Sequence, residues 1–72
     1  MMATVHVGDC IILTKPDGRC DLFEVDESGE RVRIRENLPS LHQAWQMAPR
    51  GFPPGSLIWI GDDATPDVLT SY

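Results

Sequence analysis

Phe23-Glu24-Val25-Asp26-Glu27-Ser28-Gly29-Glu30-Arg31-Val32-Arg33-Ile34-Arg35 is the stretch that decides how this chain folds. Apolar and charged residues alternate on both sides of Ser28-Gly29, the period of two that a half-buried strand requires, and glycine is suited to a tight turn. The segment reads as a β-hairpin. With Ser28-Gly29 as a two-residue loop closed by Glu27 and Glu30, Val25 opposes Val32 and Phe23 opposes Ile34 on one face. The other face then sets Glu24 opposite Arg33, Asp26 opposite Arg31 and Leu22 opposite Arg35. Slipping by one residue would place valine and phenylalanine against arginines, so the side-chain pattern predicts the two-residue loop.

Upstream, Lys15-Pro16-Asp17-Gly18-Arg19 carries the proline and glycine of a three-residue hairpin loop, and Cys10-Ile11-Ile12-Leu13-Thr14 precedes it as another strand. Closing that loop with Lys15 opposite Arg19 places Ile11 opposite Phe23, Ile12 opposite Leu22 and Leu13 opposite Asp21. The predicted core face is Ile11, Leu13, Phe23, Val25, Val32 and Ile34.

Downstream, Ser40-Leu41-His42-Gln43 has the pattern of a capping box, and Leu41, Ala44, Trp45 and Ala48 recur at helical spacing. Pro49 and Gly51 end the helix, and Gly51-Phe52-Pro53-Pro54-Gly55 reads as a loop. Ser56-Leu57-Ile58-Trp59-Ile60-Gly61 is a nearly continuous apolar run, expected as a strand shielded on both faces. Thr65-Pro66-Asp67 suits the start of a second short helix, with a frayed tail over 62–72 as the other reading. The expectation is one small α+β domain over 1–72. Its antiparallel sheet has three to four strands in the order β-β-β-α-β, with one helix packed on one face.

The opening Val5-His6-Val7-Gly8-Asp9-Cys10-Ile11-Ile12 resembles the first strand of SH3-like barrels, where a Gly-Asp turn leads into an apolar strand. An SH3-like barrel variant is therefore the alternative fold. The Ser40 to Ala48 helix departs from that pattern, and no functional residue carries over from the resemblance.

Composition narrows the function. Six Lys and Arg against eleven Asp and Glu leave a net charge of -5 over 72 residues, which argues against a general polyanion binder, since such affinity comes mostly from cations neutralising phosphates. So short a chain reaches roughly 3 to 5 kcal/mol of stability and has little left over for a deep active site. Met1 to Gly8 lacks the basic start and apolar run of a secretory signal, and no stretch is a membrane span, so a cytoplasmic location is expected.

His6, Cys10, Cys20 and His42 are the soft-ligand set, but their spacing fits no compact zinc motif, and the hairpin register separates the two thiols. Asp62-Asp63 reads as a solvated turn. No nucleophile constellation or phosphate-cradling loop is present in the sequence, and neither catalysis, metal nor cofactor is expected. The informative feature is the sheet face opposite the predicted core. Arg31, Arg33 and Arg35 alternate along one strand beside Leu22 and Ile12, and the final strand adds Trp59 or its neighbours. Arginine and aromatic residues beside uncovered apolar surface mark an interaction face. The expected function is a non-catalytic interaction or regulatory module binding a protein partner or its own copy through Arg35, Leu22, Ile12, Arg33, Arg31 and Trp59. The alternative is single-stranded nucleic acid stacked on Trp59 with its phosphates on the arginines.

Overall fold

A computed structural model describes residues 4–49 and 56–72. Its elements are β1 (Cys10–Thr14), β2 (Cys20–Val25), β3 (Arg31–Leu38), α1 (Leu41–Met47), β4 (Ile58–Asp62) and β5 (Thr65–Ser71). They form an α+β fold with a five-stranded sheet in the order β3-β2-β1-β4-β5. The sheet is mixed, because β4 returns after α1 to lie parallel to β1 while the other neighbours are antiparallel. It therefore exceeds the expected three to four antiparallel strands. The Gly51 to Gly55 loop lies outside the described residues.

The first hairpin forms as its sequence predicts. The Lys15 N–H donates to Arg19 O at 2.8 Å, Gly18 takes φ +87°, and Ile12 faces Leu22 across the pair. The second hairpin differs. The Asp26 N–H donates to Glu30 O at 2.9 Å and Gly29 takes φ +84°, so the loop is Glu27-Ser28-Gly29, one residue longer than predicted. The cause is local. One oxygen of the Asp26 carboxylate accepts from the Ser28 N–H, the Ser28 hydroxyl and the Glu30 N–H at 2.7–2.9 Å, a turn that the hydrophobic alternation does not report.

The longer loop shifts the first part of β3. Val25 now opposes Arg31, Glu24 opposes Val32 and Phe23 opposes Arg33. Val32 and Ile34, predicted to be core, are 44% and 38% exposed. A bulge at Ile34 restores Leu22 opposite Arg35, and a second irregularity at Asn37, where φ is +54°, brings Leu38 opposite Cys20 and into the core.

Two apolar clusters occupy the two faces. Ile11, Leu13 and Val25 form one with Val5, Phe23, Trp59 and Leu69 packed on it. Cys10, Ile12, Cys20, Leu22, Leu38 and Ile58 form the other, beneath Ala44 of α1 and Ala48, the residue that caps its end. The helix thus covers the face expected to be open. The reason is visible in its stripe: two alanines let a two-turn helix approach the strands closely, and Leu38 and Ile58 complete that floor.

The second face is enclosed by curvature. In a flat sheet, β3 and β5 would stand about 19 Å apart at ordinary strand spacing, beyond the reach of any side chain. Yet an Arg31 guanidinium nitrogen donates to Pro66 O at 2.9 Å, and a second lies 3.4 Å from the Asp67 carboxylate. The sheet is therefore strongly curled around Ile11, Leu13 and Val25. Its end strands are joined by a side chain, not by backbone pairing, so the SH3-like alternative is an unclosed barrel.

Thr65-Pro66-Asp67 begins a strand instead of a helix or a tail. Asp63-Ala64 makes a tight connection, with the Ala64 N–H donating to Asp62 Oδ1 at 2.8 Å, and the free side of β4 offers backbone partners. β-Branched Thr65, Val68 and Thr70 suit that environment. Pro66, Asp67 and Val68 bulge out of the ladder, which is how Pro66 and Asp67 come to meet Arg31.

Candidate interaction site

The six residues expected to share a binding face are dispersed. Leu22 and Ile12 are fully buried beneath α1. Trp59 lies on the other face, half-buried, with its indole N–H donating to Asp9 Oδ2 at 2.8 Å. Arg31 is committed to Pro66 and Asp67. Arg33 lies 3.4 Å from Asp21 and stacks over the Phe23 ring at 5.2 Å from its centroid. Arg35 is exposed, and the bulge at Ile34 has turned it away from Arg31 and Arg33 to the side of Leu22. The ion pairs expected with Asp26 and Glu24 give way to pairs with Asp67 and Asp21.

Both buried carboxylates serve as struts. Asp9 Oδ1 accepts from the Leu57 N–H at 2.9 Å, and Oδ2 accepts from the His6 N–H at 3.0 Å as well as from Trp59. Burial pushes the Asp9 carboxyl up, but the Leu57, Trp59 and His6 donors and the His6 side chain outweigh it and hold the group below the ordinary carboxylate range. Asp21 is governed in the same way: burial raises it, and the Asn37 N–H, Lys15 and Arg33 bring it lower than usual. Lys15 Nζ also donates to Asn37 Oδ1 at 2.9 Å, so Asp21 and Lys15 together hold the second β3 irregularity.

The thiols are similarly enclosed. Cys10 and Cys20 are free and buried, and their register partners, Glu24 and Thr14, stand at opposite ends of the β1–β2 pair. Burial, with Glu24 and Asp9 nearby, pushes the Cys10 thiol up to about 11, and burial with Asp21 and Asp17 raises Cys20, so neither is a ready thiolate nucleophile. Among the described residues no three His, Cys, Asp or Glu side chains converge as a metal site would require. Asp62 ends β4 and Asp63 lies in the turn that follows it, both exposed. No helix among the described residues is long and apolar enough to cross a membrane.

An apolar, aromatic concavity lies elsewhere. Leu41, His42 and Trp45 of α1 face Ile60 of β4 and Tyr72 across an open groove of about 370 Å³. The construction follows from the elements. Ile60 and Tyr72 fall on the helix face because Ile60 pairs beside Ile12 and the Tyr72 N–H donates to Ile58 O at 2.7 Å. Among the described residues α1 packs mainly on β1, β2 and β3, and Ile60 beyond them is only partly buried. Trp45 and Tyr72 meet edge to face at 5.9 Å and form one end of the groove. Leu41 remains 39% exposed and Tyr72 64%.

The sequence predicts Leu41 and Trp45 as core positions, offers Ile60 only as one alternative contributor to the open face, and gives Tyr72 no role. The missed signal is the ratio of sizes: a two-turn helix cannot cover five strands, so its outer apolar residues border bare sheet. No protein-family model, curated protein or solved structure matches this chain.

Proposed function

We propose that this protein is a non-catalytic interaction module that receives an apolar segment of a protein partner in the groove between α1 and the β4–β5 end of the sheet. The observation that carries the reading is the groove itself, in which tryptophan, tyrosine, leucine and isoleucine lie around an open concavity. Tryptophan and tyrosine are the side chains that most often dominate protein interfaces, because they contribute large contact area with few rotatable bonds. A small-molecule site of this volume would enclose most of its ligand and aim several polar groups at it. Here the lining side chains carry an imidazole, an indole N–H and a phenol, but the groove is open and would leave a small ligand exposed. The net charge of -5 favours a partner with cationic residues over nucleic acid.

Selection of random peptides displayed on phage against the folded protein tests this reading. Enriched peptides should share apolar anchors, and their affinity should fall about ten-fold or more in Leu41→Ala and Tyr72→Ala, as for hot-spot contacts. Both side chains are exposed, so circular dichroism should be unchanged. Failure to enrich binders, or binders indifferent to both substitutions, refutes the groove. A dimer seen by sedimentation and dissolved by the same substitutions would make a second copy the occupant. Salt-sensitive binding of single-stranded DNA or RNA in its place would favour nucleic acid.

A further inference from the structure

We infer that the partner segment binds in extended form, as a strand added to the outer edge of β5, and that it alternates cationic with apolar residues. This rests on the interaction-module reading and specifies the partner for the same surface.

The two sheet edges are unlike. β3 is interrupted at Ile34 and Asn37 and places Arg31, Arg33 and Arg35 along its length. A copy of β3 paired about Arg33 would set arginine against arginine at the centre and Arg31 against Arg35 on both sides. Bulges and repeated charge are the devices by which edges resist pairing. β5 has a regular ladder from Leu69 to Ser71, with no charged residue from Val68 to Tyr72, and no described strand lies beyond it.

Ladder geometry also fixes which β5 groups face outward. The Tyr72 N–H points inward to Ile58, and antiparallel pairs alternate, so Thr70 also bonds inward to β4 while Ser71 turns its N–H and C=O to the outside. That edge adjoins the groove: Tyr72 follows β5 directly, and Ile60 is the register partner of Thr70. A strand added there would direct alternate side chains onto the helix face beside Tyr72, giving main-chain bonds for affinity and a groove for selection.

Charge selects the other half of the pattern. From residue 56 to 72 the chain carries Asp62, Asp63 and Asp67 and no Lys or Arg. All three are exposed, and among the described residues Asp67 is paired with Arg31. The exposed Asp62 and Asp63 carboxylates and the net charge of -5 favour lysine or arginine on the incoming strand.

The probe is an acetylated and amidated hexapeptide alternating lysine with valine, titrated into isotopically labelled protein. Amide shift changes should centre on residues 69–72, exchange of the Ser71 amide should slow, and Ser71→Pro should weaken binding about ten-fold, the loss expected for one main-chain bond. Because that N–H faces outward, proline at this edge position leaves the inward ladder intact. N-methylation of the peptide backbone should weaken binding comparably and does not depend on any variant folding. Binding indifferent to both changes overturns the added strand while leaving the groove standing. So does a hexapeptide that fails to bind when groove-selected peptides succeed. If neither class of peptide binds, both readings fall.

Discussion

Asp9 is the residue whose replacement should reveal most about how the fold is held. Its carboxylate is 2% exposed and accepts three donors: Leu57 N–H on Oδ1, and His6 N–H with the Trp59 indole on Oδ2. Asp9→Asn keeps the shape but leaves one acceptor oxygen. In its better orientation the amide still serves His6 and Trp59 and turns its NH₂ toward the Leu57 N–H, so one charge-assisted bond is lost and two are weakened. A hydrogen bond to a charged group contributes about 1.5–3 kcal/mol, and relief of burying a charge offsets part of that, so the net cost should be about 2–3 kcal/mol. Against roughly 3 to 5 kcal/mol for a domain of this size, that is about two fifths of the stability or more.

Urea unfolding followed by tryptophan fluorescence at pH 7 measures this cost directly. The folded-state pKa of Asp9 is lowered from 3.8, so its ionised form is favoured by folding. The contribution is complete above that value and is lost as pH falls through it toward the folded-state pKa. The gap between wild type and Asp9→Asn should therefore be widest near neutrality and should narrow below about pH 4. A difference under about 0.5 kcal/mol at pH 7, the range of an ordinary surface change, would refute the clamp, as would a gap that does not narrow in acid.

Two further substitutions test the local geometry. Ser40→Ala removes the oxygen that accepts the Gln43 N–H at 3.1 Å and should cost about 1 kcal/mol, read as a lower urea midpoint with unchanged slope. Gly61→Ala would put a methyl 2.6 Å from Leu69 Cδ2 and 2.9 Å from Val68 O, so the β5 backbone must shift, at a cost of about 1–3 kcal/mol. An unchanged midpoint would show that β5 does not pack tightly over Gly61.

Strand pairing was legible where one loop chemistry was available and illegible where two competed. At Lys15–Arg19, proline and glycine specify a three-residue loop, and the β1–β2 register follows from it. At Asp26–Glu30, hydrophobic alternation favoured one register and the Asp26 side chain another. The loop with three hydrogen bonds to one carboxylate oxygen prevailed, leaving Val32 and Ile34 exposed. The helix start was legible because Ser40 acts through its own neighbours. Only half of the capping box forms, however: Gln43 Nε2 lies 3.7 Å from Met47 Sδ and does not reach back to Ser40. The parallel return of β4 and the strand state of β5 depend on partners distant in sequence, and local propensity carries no record of them.

The six residues expected on one face are separated for a related reason. Arg31, Arg33 and Arg35 share one face only if β3 is regular, and the bulge at Ile34 inverts the third. The signal for an irregular β3 is nonlocal: Asn37 at positive φ is held by Asp21 and Lys15, from β2 and the first loop. Once the strand bends, the arginines become internal connections. Arg33 closes over Phe23 onto Asp21, and Arg31 reaches the bulged start of β5. These contacts draw the curled sheet around Ile11, Leu13 and Val25, a core that so small a helix on the other face could not shield. The charge pattern that looks like a binding surface in sequence is therefore divided: Arg31 ties β3 to the start of β5, Arg33 is held by Asp21 and Phe23 of β2, and Arg35 stays exposed. What it leaves open is the uncharged end of β5 and the aromatic groove beside it.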